Sequence, residues 1–227
     1  GHDAQQRGFA GMNKVLYFVR HGRTEWNAIA RMQGQWNSNL DDLGREQAEI
    51  AGRWLAHHGI EAMFASPLDR TRQTAEIIRR HVRAPVTFDE RLKEWDSGDW
   101  SGHLYAEIEQ TWPEQWRAWS ADLFPPPSPN LENYPDMIAR SRPFLDELHA
   151  HPASTIAIVS HGMIGKAMLH TLLDLDEART LSFHQPNDRV FRVSIDGDAR
   201  VAEHFDGGRG PFPGLDEHDG ERVARPA

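Results

Sequence analysis

Two histidines in this chain follow the same kind of run. Residues 15–19 read Val-Leu-Tyr-Phe-Val and lead into Arg20-His21-Gly22. Residues 155–159 read Thr-Ile-Ala-Ile-Val and lead into Ser160-His161-Gly162. A neutral imidazole can attack phosphorus and carry a covalent phosphoryl group, which makes His21 the candidate nucleophile. Arg20 beside it and Arg70 further along can each offer a planar fork of donors to phosphate oxygens. Their charge also opposes protonation of His21, and a carbonyl accepting the other ring N–H would fix the tautomer. His161, protonated, would donate to a phosphate oxygen, and Asn27 would add an amide donor. Glu94 is the candidate general acid, since the leaving oxygen of a monoester needs a proton. Taken singly, each residue has an ordinary explanation. A histidine can simply pack under a turn, and surface ion pairing accounts for Arg79, Arg80 and Arg83.

These side chains require elements that bring them together. A β-branched and aromatic run closed by glycine is a buried strand. Two such strands in one parallel sheet release both histidines at its carboxyl edge, where open α/β folds bind ligands. The patterning predicts helix 43–58 capped by Asp41 or Asp42, strand 61–65, and helix 67–81 started by Ser66 and Pro67. Strand 84–88, helix 136–149, strand 155–159 and helix 162–173 follow. Residues 189–195 alternate as a half-exposed strand, and Asp196-Gly197 turns into a short strand at 200–204. Thr111 and Glu114 have capping-box spacing. Residues 124–135 hold five prolines and read as loop. Five of the eight tryptophans fall within 95–119, and an inserted helical cap over 99–150 gathers them as its core, with Trp100 or Trp116 at the mouth. The expected fold is an α/β three-layer sandwich with a mixed, mostly parallel sheet between helices. One domain spans 12–206. Residues 1–11 are an unpatterned tail with Met12 as the expected natural start, and the chain from Gly207 onward reads as a flexible tail.

Composition narrows the partners. The 227 residues, 39% hydrophobic, suffice for one substantial core. The net charge of -9 argues against nucleic acid, so a phosphate site must be a local positive pocket. There is no cysteine, hence no disulfide or thiolate chemistry. No apolar stretch approaches the roughly 20 residues of a membrane span, and no signal peptide stands near the start. The expected location is cytoplasmic, with no membrane partner. No histidine cluster has zinc-ligand spacing, so no metal is expected. Oligomeric state is open, a homodimer included.

The strings LYFVRHGRTEWN, RMQG, SPLDRTRQTAEII, DERLKEWDSGDWSG, IVSHGMIG and QPNDRVFRV occur in this order from about residue 14 to 195. In them the chain resembles the histidine phosphatase superfamily, the phosphoglycerate mutase-like fold. The resemblance implies His21 as phospho-acceptor and Arg20, Arg70 and His161 as the phosphate pocket. It further implies Asn27 as an added donor, Glu94 as proton donor, Gly34 as a substrate contact, and no metal or other cofactor. The chain departs from the pattern at Arg23, where a glutamate is usual; the extra charge would favour a more anionic substrate. Asn37 and Asn39 replace a common Asp and Pro, and Glu132 stands for the glutamate of a Gly-Glu-Ser string. The expected activity is a metal-independent phosphomonoesterase acting on a small-molecule phosphomonoester. The alternatives are mutase-type phosphoryl transfer and a non-catalytic phosphate-binding protein. A mutase cap usually carries extra basic residues, whereas 103–125 holds Arg117 alone. The tryptophan-rich cap suggests a leaving group larger than a bare sugar.

Overall fold

Alternation along two central strands decides the layers. Leu16 and Phe18 of β1 (Asn13–Arg20) share a core with Ile156 and Ile158 of β4 (Thr155–Ser160), while Tyr17 and Val19 share the opposite core with Ala157 and Val159. A fully buried strand must therefore have helices on both faces. The computed structural model, which describes residues 9–121 and 130–218, has that arrangement. Seven strands form one sheet in the order β3-β2-β4-β1-β5-β6-β7. β2 (Ala62–Ala65) and β3 (Val86–Phe88) run parallel with β4 and β1, whereas β5 (Arg189–Asp196), β6 (Ala199–Asp206) and β7 (Arg209–Pro213) join antiparallel.

A short α1 (Glu25–Ala28) follows β1. On one face, α2 (Asp42–Leu55) and α3 (Asp69–Arg79) supply Leu55, Ala75 and Ile78 to the core. On the other, α6 (Tyr134–Ala150) and α7 (Gly162–Leu173) supply Phe144, Leu148, Met168 and Leu172. A short α8 (Glu177–Thr180) leads toward β5. The expected sandwich is present, as is the cap of Asp41 on α2, where its carboxylate accepts from Gly44 N at 2.8 Å. Among the described residues no helix is long and apolar enough to cross a membrane.

Several local expectations are corrected. α3 starts at Asp69 rather than Pro67, because Leu68 holds the N-cap with extended backbone, while the Ser66 hydroxyl accepts from Leu68 N at 3.4 Å and meets His161 Nε2 at 2.8 Å. The Thr111–Glu114 capping box does not form. Thr111 ends α4 (Tyr105–Thr111), and Pro113 opens α5 (Pro113–Ala121), the position its missing N–H tolerates. Pro135 lies in the first turn of α6, capped by Asn133 and Asp136, so the proline loop ends earlier; its residues 124–129 lie outside the described residues. The cap is also shorter than 99–150, since α6 belongs to the sheet layer and only its first turns, at Tyr134 and Met137, join the tryptophan core. Strand β5 is mostly buried rather than half-exposed, because β6 and β7 continue the sheet beyond it.

The ordered chain also passes residue 206. Pairing of β6 with β7 extends the sheet, Leu215 is 2% exposed in the main core, and Arg189 and Arg179 bind Asp216 and Glu217. The expected tail is therefore structural through residue 218. Leu215→Ala should cost about 3 kcal/mol through the lost methylenes and the cavity they leave, and lower Tm by several degrees in a thermal melt. Ending the chain after Asp206 should cost more. An unchanged Tm in both variants would mean that the segment is a tail after all.

Candidate active site

The register of the two central strands builds the site. Arg20 of β1 lies opposite Ser160 of β4, so the next residues, His21 and His161, leave the sheet side by side. Their ring centroids are 5.2 Å apart and tilted by 58°. Gly22 then allows the first turn of α2 to lie against the loop. A Cβ on Gly22 would meet the Gly44 carbonyl oxygen at 2.2 Å, and one on Gly44 would meet the Arg23 oxygen at 1.9 Å.

His21 Nδ1 lies 2.7 Å from the Gly22 carbonyl oxygen. A carbonyl can only accept, so Nδ1 carries the hydrogen and Nε2 keeps its lone pair. Burial, then Arg70 and Arg20, push the His21 pKa well below the ordinary value against the weaker pull of that carbonyl. The ring is neutral at neutral pH, with Nε2 unprotonated.

Both arginines are buried, at 7% exposure for Arg20 and 1% for Arg70. Carbonyls hold them. Arg20 donates to Gln185 O at 2.6 Å, and Arg70 donates to Trp36 O at 2.7 Å and Gly34 O at 2.6 Å. The Nε of each is buried without a hydrogen-bond partner among the described residues. Burial draws both pKa values down, that of Arg70 to about 10, and both remain cationic at neutral pH. Gly34 serves through its carbonyl. It stands at φ +53°, and a Cβ there would strike Ser97 Oγ at 2.1 Å. Asn27 lines the cavity, and its side-chain oxygen accepts from Thr24 N at 3.1 Å to close the cap of α1.

Glu94 sits at the start of α7. Oε1 accepts from Trp95 N and Ile164 N at 3.0 Å each, and Oε2 accepts from Met163 N at 3.1 Å. Its segment is pinned from behind by Arg140, which donates to the carbonyls of Arg91 and Lys93 and pairs with Glu132 at 2.7 Å. Glu132 thus acts on Glu94 indirectly.

Two expectations about the site change. His161 is fully buried beside His21, with Nε2 2.8 Å from Ser66 Oγ. Burial, then Arg70, His21, Arg20 and Arg140, hold its pKa well below the ordinary value, so it is neutral here rather than protonated. A neutral ring still offers one N–H, and Nδ1 is buried with no hydrogen-bond partner among the described residues. Arg23 is bound to a helix cap. Its Nε pairs with the α2 cap residue Asp41 at 2.6 Å, and it stands outside the cavity.

The cavity, about 970 Å³ with its open mouth, runs from Arg20, His21 and Arg70 to a wall of Trp95, Trp119, Tyr105 and Tyr134. Trp95 and Trp119 stack at 5.2 Å and 15°. They, rather than Trp100 or Trp116, reach the cavity. The sequence pattern marks Ser66 only as a helix start and gives Gln185 no role of its own. Gln185 lies inside the quoted QPNDRVFRV string, but its task, buried and donating to Phe18 O and Arg189 O, depends on tertiary contacts.

The two histidines bear on stability. Their native pKa values lie below the roughly 6.5 of an unfolded histidine. Below that pH the unfolded chain takes up protons that the native site refuses. Stability is therefore complete above about pH 6.5 and falls as pH drops toward the native values. Tm should decline from pH 7 to 5, and less steeply in His21→Gln and His161→Gln. Equal slopes in all three proteins would contradict the assignment.

Comparison with known proteins gives the family. A family model described as histidine phosphatase superfamily (branch 1) matches residues 16–206. Phosphoserine phosphatase 1 of Hydrogenobacter thermophilus is 32% identical over 169 residues, covering 74% of this chain and 80% of that one. A probable phosphoglycerate mutase of Proteus mirabilis is 37% identical over 180 residues, covering 78% and 83%. The solved structure of a mycobacterial glucosyl-3-phosphoglycerate phosphatase with VO3 superposes with a TM-score of 0.74 at 32% identity, covering 80% of this chain and 92% of that one. With the sheet, the paired histidines and the buried arginines in place, the chain belongs to the histidine phosphatase superfamily.

Proposed function

We propose that this chain hydrolyses small phosphate monoesters through a phosphohistidine on His21, without a metal ion. The observation that carries the reading is the state of His21, a neutral ring with Nδ1 on the Gly22 carbonyl and a lone pair on Nε2. It sits beside two buried guanidinium groups that supply positive charge. Nε2 attacks phosphorus and the bond to the leaving oxygen breaks. Arg20, Arg70, Asn27 and an N–H of His161 receive the charge on the transferring group. Glu94 gives its proton to the leaving oxygen, then takes one from the water that attacks the phosphohistidine. The N–P bond breaks, inorganic phosphate leaves, and Glu94 is again protonated.

The cap favours hydrolysis over mutase transfer. Arg117, the one lysine or arginine within 103–121, does not line the cavity, so the cap offers no cation to a second phosphate. Trp119 and Ser120 stand there instead.

In EDTA, the wild type should release phosphate from a panel of monoesters, and His21→Ala should lose about 10³-fold or more. Turnover surviving in His21→Ala would overturn the phosphohistidine route. Isomerisation of 3-phosphoglycerate without net phosphate would favour the mutase, and binding without turnover would favour a phosphate-binding protein. Glu94→Gln should slow alkyl esters about 10²- to 10⁴-fold. It should slow p-nitrophenyl phosphate far less, because that leaving group departs without a proton. Equal losses on both esters would remove Glu94 from the acid role.

A further inference from the structure

Ser66 carries a buried hydroxyl to which the reaction above gives no task. β2 pairs with β4 in parallel, and one residue past the end of β2, Ser66 N donates to Val159 O at 2.9 Å. That register sets Ser66 at the same edge of the sheet as His161, with Oγ 2.8 Å from Nε2. The Ser66 carbonyl accepts from Thr71 Oγ1 at 2.8 Å, and Pro67 brings no N–H to compete for the hydroxyl. The contact has a direction. Ser66 Oγ accepts from Leu68 N at 3.4 Å, and among the described residues His161 is its other partner. If Nε2 held the ring hydrogen, Oγ would accept from both neighbours, and its own hydrogen would be buried without an acceptor. That arrangement is costly. If Ser66 donates to Nε2 instead, the hydroxyl hydrogen is satisfied, and the hydrogen of the neutral ring lies on Nδ1.

Glu94 keeps Nδ1 from another task. His161 is the N-cap of α7, where a side-chain acceptor ordinarily takes the N–H of the second or third helical residue. Here those amides, Met163 N and Ile164 N, donate to Glu94, and the His161 side chain makes no cap hydrogen bond. Nδ1 is buried with no hydrogen-bond partner among the described residues, in a ring whose centre lies 5.2 Å from that of His21. With Nε2 engaged by Ser66, Nδ1 is the ring atom left to meet a phosphate oxygen. A lone pair there would repel that oxygen, whereas an N–H would donate to it.

We propose that Ser66 is a positioning residue for phosphoryl transfer, whose hydroxyl donates to His161 Nε2 and so fixes Nδ1–H as the donor that His161 offers to the transferring group. This assignment rests on the phosphatase reading above and adds the donor atom and the group that sets it. Donation to the Nε2 lone pair also favours the neutral ring, in the same direction as burial and then Arg70.

The test reads the tautomer and the turnover together. Heteronuclear NMR of the imidazole nitrogens in wild-type protein should show His161 Nδ1 with a hydrogen and Nε2 without one, the signals being identified by their loss in His161→Gln. Ser66→Ala should move His161 toward the Nε2–H tautomer. It should also lower kcat on p-nitrophenyl phosphate about ten- to a hundred-fold, with a smaller change in KM. Ser66→Thr restores a hydroxyl and should recover the tautomer and most of the rate. If Ser66→Ala does not fold, Ser66→Cys keeps the packing with a weaker donor and should move both readouts the same way. An Nε2–H tautomer in the wild type would overturn the assignment without any variant. So would a Ser66→Ala protein that loses rate with its tautomer unchanged, or one that changes tautomer at full rate. Each of those outcomes, with p-nitrophenyl phosphate turned over by the wild type, would leave the phosphatase reading intact. A wild type with Nδ1–H that hydrolyses no ester would overturn the phosphatase reading, and the catalytic use of the tautomer with it, while the Ser66 contact stood.

Discussion

Two guanidinium groups buried against backbone carbonyls are the constraint from which the rest of the site follows. Among the described residues, neither Arg20 nor Arg70 has a carboxylate within ion-pair distance, and each is anchored by carbonyl oxygens. Removing a charge from water costs several kcal/mol when nothing of opposite sign replaces the solvent. The fold meets that cost through its global stability, and the pocket stands ready for an anion without rearranging. Burial, reinforced by the same two charges, keeps His21 and His161 neutral. Burial and charge together therefore make a pocket suited to an anion, leave the His21 Nε2 lone pair unprotonated, and make the native state sensitive to acid.

The carbonyls that anchor the arginines must themselves be fixed, and this explains features remote from the chemistry. Gly34 needs its positive φ and its missing Cβ so that its oxygen can face Arg70 beside Ser97. Gln185 spans two backbone segments with its amide while its own carbonyl holds Arg20. Arg140 and Glu132 staple the segment that carries Glu94, and the N-terminal amides of α7 receive the carboxylate at the other end. Loss of any of these supports would leave the reacting groups present and misplaced, which matters because small errors in position are costly to catalysis.

The strands and the paired histidines could be read from the sequence because their signals are local. Apolar runs ending in glycine state both the burial and the exit of His21 and His161, and pairing in parallel register does the rest. Arg23 shows where such reading stops. A positive charge beside the site has no direction until its partner is known, and that partner, Asp41, lies 18 residues on at a helix cap. Protonation of His161 misled for a related reason. The chemistry asks for a donor there, but total burial beside two arginines supplies a neutral one. Glycine, proline and charge after Gly207 resemble a tail, yet a hairpin from β6 recruits them as an edge strand and Leu215 enters the core. Nothing in the composition of that segment records which strand it would meet.

Charge distribution also limits what can reach the site. The chain carries a net charge of -9, and the arginines lie at the bottom of a cavity. At physiological ionic strength surface repulsion fades within about 8 Å. A polyanion such as nucleic acid must rest on the surface and meets that repulsion along its length. A small monoester meets it briefly, then enters a space where the field is set by Arg20 and Arg70. Selection for a compact anion thus follows from the depth of the cavity and the acidity of the surface together, before any specific contact with the leaving group is made.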